Sequence, residues 1–386
     1  MKKFWSRLLK TCAGIAILGV AGAATYLQHP LFGALPKGER LARIERSPHY
    51  ADGAFRNQID TPMLTTDQSE WSMWRETIFG ERGHPRPPGA IPAVKTDLKA
   101  LDPARDLVVW LGHSSYFVQL GGKRILIDPV FSTNAAPVPG ANRAFEGTSI
   151  YAAADMPEID ALLISHDHYD HLDYPTILAL KPKVRQVIVG LGVGAHFEAW
   201  GYDMRVVSEA DWNEAVALSP QLQIHVTPAR HFSGRAFTRN QSLWVGFALV
   251  SPERRLFFSG DSGYGPHFAE IGQRLGPFDW AALDMGQYDP RWANVHMTPE
   301  QAAQAAEDLR TRVLMPEHVG RFSLAPHDWD DPFKRIVAAS RVRRYALWTP
   351  EIGQPVYLAG QPQKFSSWWE TVHADAPRKV ASDHDI

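Results

Sequence analysis

The sequence is short of residues that several kinds of protein depend on. It has one cysteine, Cys12, in 386 residues, which excludes an intramolecular disulfide and any metal site built from cysteine. Basic residues are not in surplus: 40 Lys+Arg stand against 42 Asp+Glu, for a net charge of −2. A nucleic-acid partner is therefore not expected, because neutralising phosphates takes a clustered Lys/Arg excess. No internal repeat is visible. With 45% hydrophobic and 21% charged residues the chain has the composition of a folded protein with a sizeable core. What it has in number is 16 histidines and 13 tryptophans, and the placement of the histidines decides the reading.

Residues 1–27 open with Lys2, Lys3, Arg7 and Lys10 and then run uncharged from Thr11 to Leu27. A basic flank followed by an apolar run is a membrane-targeting segment. The run stands at the lower limit for crossing a hydrocarbon core of about 30 Å, and Ala21-Gly22-Ala23 fits a small-x-small cleavage site. It reads equally as an anchor or a cleaved signal. Either way the expected location is the cell envelope, inner-membrane anchored and facing outward, or periplasmic after cleavage.

Residues 28–100 are rich in turn formers, among them Pro30, Pro36, Gly38, Pro48, Gly53 and the 84–89 stretch, and cannot hold long regular elements. Their aromatics, Phe32, Tyr50, Phe55, Trp71 and Trp74, mark an irregular extension packed on the core. Over 101–350 short β-branched runs alternate with helical stretches. Strands are expected at 108–111, 116–118, 124–127, 161–164, 186–189, 224–227, 243–250, 255–259, 280–283 and 313–315. Helices are expected near 175–180, 194–200, 266–275, 298–309 and 331–341. The fourth has a clear start signal in Thr298, Pro299 and Gln301, an N-cap, a first-turn proline and a capping box. Strands alternating with helices predict a layered α/β domain. Residues 351–386 are expected to form a C-terminal strand and, from Asp375, a loose tail.

The strongest signal follows the apolar run 161–164: Ser165-His166-Asp167-His168-Tyr169-Asp170-His171-Leu172-Asp173. In an extended loop, residues two apart project to the same side, so His166 and His168 can hold one cation while Asp170 and His171 reach a second. Imidazole with carboxylate suits zinc first, with manganese or iron as alternatives. Further ligands are expected at the ends of later strands, where His231, Asp261 and His318 each follow an apolar run. One metal would have His166, His168 and His231, the other Asp170, His171 and His318, with Asp261 and a water shared between them. Two cations acidify such a water to a bridging hydroxide nucleophile and stabilise oxygens that gain negative charge. Hydrolysis of an ester, amide, lactone or phosphodiester is the expected outcome. His296, just before the capped helix, is placed to assist a leaving alkoxide. His113 and Asp128 read as groups that orient ligands from behind.

In its ligand pattern, His166-x-His168-x-Asp170-His171 with His231, Asp261 and His318 in order, the chain resembles the metallo-β-lactamase fold superfamily. Further strings, including Trp110-Leu111-Gly112-His113, Ile127-Asp128-Pro129-Val130-Phe131, Gly260-Asp261-Ser262-Gly263-Tyr264 and His296-Met297-Thr298-Pro299-Glu300, are similar to its N-acylphosphatidylethanolamine-hydrolysing phospholipase D branch. The resemblance covers about 106–340. It implies a four-layer αββα sandwich, two Zn2+, a phospholipid substrate met at a membrane surface, and Tyr169 and His296 beside the substrate phosphate. After the last ligand this chain has Val319-Gly320-Arg321-Phe322 where the family commonly shows an aromatic and then Gly-Thr-Phe, so one wall of the pocket differs. Two other readings stand beside this one: a lactonase or other hydrolase of the same fold, and a non-catalytic envelope protein with structural metals.

Overall fold

The computed structural model describes residues 2–69, 71, 72, 75, 83–360 and 363–374. Trp74 and the expected tail from Asp375 lie outside the described residues. A small ribbon, β1 (Tyr50–Ala51) and β2 (Ala54–Phe55), precedes the domain. One seven-stranded sheet holds β3 (Leu107–Gly112), β4 (Ser115–Leu120), β5 (Lys123–Ile127), β6 (Ala161–Ile164), β7 (Val187–Gly190) and β8 (Val207–Ala210). The other holds β9 (Ala215–Ser219), β10 (Leu222–Thr227), β11 (Gly246–Val250), β12 (Arg255–Phe258), β13 (Trp280–Asp284), β14 (Val313–Glu317) and β15 (Ala346–Leu347). The last strand, β16 (Pro355–Tyr357), returns to pair antiparallel with β3 at the edge of the first sheet.

Strand β3 explains the layering. All six of its residues are buried, and they divide with the pleat: Val108 and Trp110 enter the large core that includes residues of the second sheet, whereas Leu107, Val109 and Leu111 enter a second core. That second core takes Ile177 and Leu180 from helix Tyr174–Leu180 and Phe197 from helix Gly194–Ala199. A strand buried on both faces needs a layer on each side. Helices His267–Leu275, Pro299–Asp308 and Asp331–Ser340 cover the second sheet with Phe268, Ile271, Ala302, Ala306, Phe333 and Ile336. The result is an αββα sandwich, as expected. The start signal at Thr298 is used as read, its side chain accepting from Gln301 N.

Besides the two-residue strands β1 and β2, the strands not expected from the sequence, β8, β9 and β15, lie at sheet edges. Their mixed burial leaves no continuous apolar run to detect. Helix Trp368–Ala374 follows β16 and buries both Trp368 and Trp369, the latter stacked 4.9 Å from Phe333.

At the other end, a helix spans Lys2–Tyr26. At about 1.5 Å per residue its 25 residues measure about 37 Å, and over Phe4–Tyr26 it is long and apolar enough to cross a membrane. Among the described residues its apolar window is unburied, and at its end Tyr26 reaches the domain, its hydroxyl donating to the Pro137 carbonyl. The chain after it runs back over the domain, where Trp200 Nε1 donates to the Pro30 carbonyl at 2.7 Å and Arg40 pairs with Glu209 at 2.8 Å.

Candidate metal centre

Strand direction gathers the site. In the first sheet β3, β5 and β6 run the same way, and in the second β10, β12, β13 and β14 do. Just beyond their C-terminal ends come His113, Asp128, the 166–171 loop, His231, Asp261 and His318, while Asp284 closes β13. A bridge between His113 and Val319 ties the two sheets together there.

Three donor groups result among the described residues, two of them built on the 166–171 loop and a third, Asp261, Asp284, His296 and His318, beside them. Of the two on the loop, His166, His168, His231 and Asp261 form one; His113, Asp170, His171 and His318 form the other, with ligand atoms within 4.8 Å of one another in each. Asp261 faces both. Its Oδ2 lies 3.7 Å from His166 Nε2 and 3.6 Å from His231 Nε2; its Oδ1 lies 3.1 Å from His171 Nε2 and 3.0 Å from His318 Nδ1. Ligand atoms at about 2.0–2.2 Å around one tetrahedral ion stand about 3.4 Å apart, which matches these separations. All seven sequence-predicted ligands are thus brought together.

The chemistry of the donors fits cations. His171 Nε2, His318 Nε2 and Asp261 Oδ1 are buried without a hydrogen bond, although buried polar atoms are ordinarily paired. In the other group His166 Nε2 and His231 Nε2 converge on His168 Nδ1 at 2.8 and 3.2 Å. Burial holds His166 and His231 well below the usual histidine range, in the neutral form that ligates. Burial opposes the charged Asp261, but the neighbouring His171 and His318 outweigh it and keep the carboxyl well below its ordinary value.

Four of the ligand rings, His166, His171, His231 and His318, have a partner outside the donor groups. Asp128 Oδ2 lies 2.8 Å from His171 Nδ1, and Asp128 Oδ1 accepts from Ser165 N at 2.7 Å. Ser165 Oγ is 2.9 Å from His166 Nδ1, His231 Nδ1 donates to the Val295 carbonyl at 3.0 Å, and Ser114 Oγ is 3.1 Å from His318 Nδ1. For His166, His171 and His231 such partners fix the tautomer and leave Nε2 for metal, whereas His318 turns the same Nδ1 to Ser114 and to Asp261. His113 comes closer than the sequence suggested: its Nε2 is 3.0 Å from Asp170 Oδ2, within the donor group itself. Three of these residues hold left-handed backbone, His113 at φ 56°, Asp128 at 42° and His318 at 62°. Non-glycine residues seldom adopt that region, and strain of this kind concentrates at functional sites.

His296 completes the rim. Its Nδ1 is 2.8 Å from Asp284 Oδ2, and its ring stacks on His318 at 5.2 Å. Burial disfavours the imidazolium, but the Asp284 carboxylate more than offsets this and raises the His296 pKa. Asp284, Ser165 and Ser114 were not singled out from the sequence, although Asp284 closes an apolar strand just as the ligands follow theirs. Tyr169 is placed differently from the role expected of it: its hydroxyl donates to the Arg235 backbone carbonyl, and the Arg235 guanidinium lies 4.2 Å over its ring.

The family model described as the beta-lactamase superfamily domain matches residues 123–319. The chain belongs to the metallo-β-lactamase superfamily. It is 38% identical over 374 residues to an uncharacterized protein of Mycobacterium tuberculosis (strain ATCC 25618 / H37Rv), covering 94% of this chain and 99% of that one. It is 32% identical over 232 residues to N-acyl-phosphatidylethanolamine-hydrolyzing phospholipase D 1 of Caenorhabditis elegans, covering 57% of this chain and 65% of that protein. Among solved structures, Igni18, a metallo hydrolase from the archaeon Ignicoccus hospitalis, shares the fold with a TM-score of 0.51 at 20% identity, covering 67% of this chain and 100% of that one. The chain is thus a metal-dependent hydrolase of the metallo-β-lactamase superfamily, with clusters able to hold metal ions.

Proposed function

We propose that this hydrolase is a dinuclear, zinc-dependent phosphodiesterase that cleaves N-acylphosphatidylethanolamine-type phospholipids at an envelope membrane, releasing phosphatidate and N-acylethanolamine. The observation that supports the reading is Asp261 turning one oxygen to His166 and His231 and the other to His171 and His318, with the His296–Asp284 pair at the rim. Bound there, two divalent cations would supply Lewis acidity for a phosphoryl group and lower the pKa of water.

The chain's own residues do the rest. Asp261 presents one oxygen to each of the two loop-built donor groups and fixes their separation. Asp128 and Ser165 hold His171 and His166 in the ligating orientation. Asp284 engages His296 Nδ1, leaving Nε2 as the atom that carries a proton to a departing alkoxide. The similarity to the phospholipase D of Caenorhabditis elegans supports a phospholipid substrate, as does the exposed apolar helix. A cavity of about 190 Å³ beside Asp167 is lined by Leu27, Phe32 and Leu35 together with His196, Arg235 and Gln241, a mixed lining that suits an amphipathic lipid. Kept as an anchor or removed as a signal, that helix directs the domain to the outer side of the membrane.

The test is hydrolysis by zinc-loaded full-length protein of N-acylphosphatidylethanolamine vesicles, alongside lactone and thioester panels. Release of N-acylethanolamine that vanishes with Asp261→Asn supports the proposal. Brisk lactone hydrolysis with no turnover of the phospholipid would replace it with a lactonase.

A further inference from the structure

We infer that the strap His29–Pro36, which joins the apolar helix to the domain, positions the metal-binding loop through Arg235 and His196. This rests on the metal-binding part of the proposed function and not on its substrate.

Arg235 is 5% exposed and its guanidinium is shared between two segments. Nε and Nη2 donate to the Leu31 carbonyl of the strap at 3.1 and 2.7 Å. Nη1 donates to the carbonyls of Asp167 and Leu172, each at 2.7 Å. Those two carbonyls flank the turn that carries His168, Asp170 and His171. One rigid, permanently charged fork therefore grips the strap on one side and the ligand turn on the other, with Tyr169 packed against its face and donating to its backbone carbonyl.

A second link runs parallel to the first. Ala34 N donates to His196 Nδ1 at 3.1 Å, which fixes the ring proton on Nε2, 3.3 Å from Asp167 Oδ2. Asp167 also accepts from Gly234 N at 2.7 Å and from Ser242 Oγ at 2.9 Å. It lies between ligands His166 and His168 yet stands in none of the donor groups; its carboxylate instead meets His196, which carries the link from the strap. The fit of strap to His196 is tight. Gly33 has φ 69°, and a Cβ there would meet His196 Nδ1 at 1.9 Å, so any side chain at 33 displaces strap or ring. Groups behind metal ligands typically govern metal affinity by about 10- to 100-fold, and the strap acts on that scale without touching a ligand.

The test uses full-length protein carrying Gly33→Ala, Arg235→Gln, His196→Ala, or Gly33→Ala with His196→Ala. Metal affinity is read by chelator competition and coordination by the visible spectrum of the cobalt-loaded protein. The inference expects Gly33→Ala and Arg235→Gln each to lose metal at about tenfold lower chelator with an altered cobalt spectrum. It also expects Gly33→Ala to add nothing further once His196→Ala has removed the clash. Should Arg235→Gln not fold, the Gly33 and His196 variants carry the test. Wild-type metal affinity and spectrum in Gly33→Ala and in Arg235→Gln, even with lowered stability, would reduce the strap to scaffolding and overturn the inference. A wild-type protein that binds no metal would overturn it together with the metal reading, whereas inactivity on phospholipid bears on the substrate alone.

Discussion

His296 Nδ1 stands 2.8 Å from Asp284 Oδ2, and Asp284 is fully buried at the end of β13. The pair joins a histidine on a rim loop to a carboxylate fixed by the sheet, and its Oδ2 accepts a second hydrogen bond from Ser262 N at 3.1 Å. A group held this way is preorganised for proton delivery; Asp284 and His296 also stand with Asp261 and His318 in a cluster close enough to hold a cation, and metal content separates the two roles.

Replacing His296→Gln should therefore lower kcat by about 10²- to 10⁴-fold, the usual worth of a general acid, with metal content unchanged. The loss should shrink on a phosphodiester with a p-nitrophenolate leaving group, which departs without a proton. Steady-state kinetics on both substrates check this; an equal loss on each would assign His296 to binding.

Asp128→Ala should act on the metals. Asp128 is buried and engages His171 and Ser165, so its removal frees the ring to rotate. A fall in metal affinity of about 10- to 100-fold is expected, measured by competition with a fluorescent zinc chelator.

Much of this site was legible in the chain. The 166–171 loop announces itself because four metal-ligating side chains follow an apolar strand, and His231, Asp261 and His318 could be found by the same placement at strand ends. Asp284 obeys that rule but carries no local pattern, and Ser165 looks like any loop serine until Asp128 folds beside it. The Leu31 to Arg235 contact spans 204 positions and depends on the strap crossing the domain, which no spacing encodes. Helix Trp368–Ala374 was hidden for a related reason: its burial comes from Trp110 and Phe333, distant in sequence.

Gly260→Ala should destabilise the fold at the metal site. Gly260 has φ 56°, and a Cβ would meet the Val245 carbonyl at 2.7 Å and Ser165 Cβ at 2.8 Å. The left-handed conformation alone costs an L-residue about 1–2 kcal/mol, and the backbone clash adds to it. Urea unfolding of the metal-free protein should show the loss; an unchanged midpoint would mean that this turn adjusts freely.

His267 predicts an acid sensitivity unrelated to the metals. Burial, with Arg230 nearby, pushes its pKa down to about 3 from 6.5, so the folded state holds it neutral. The unfolded state takes up a proton first, and stability present above pH 6.5 is lost as pH falls towards 3. His267→Gln should flatten that part of the stability profile of metal-free protein; an unchanged slope would place the acid sensitivity elsewhere.

The central claim is that Asp261, with one oxygen towards each of the two loop-built donor groups, organises two cations for phosphodiester hydrolysis. Its most direct test measures metal stoichiometry and N-acylethanolamine release in parallel on full-length wild type and Asp261→Asn. The account predicts two zinc equivalents and turnover of N-acylphosphatidylethanolamine in the wild type, with both metal and turnover lost in the variant. Turnover that persists in Asp261→Asn would contradict it.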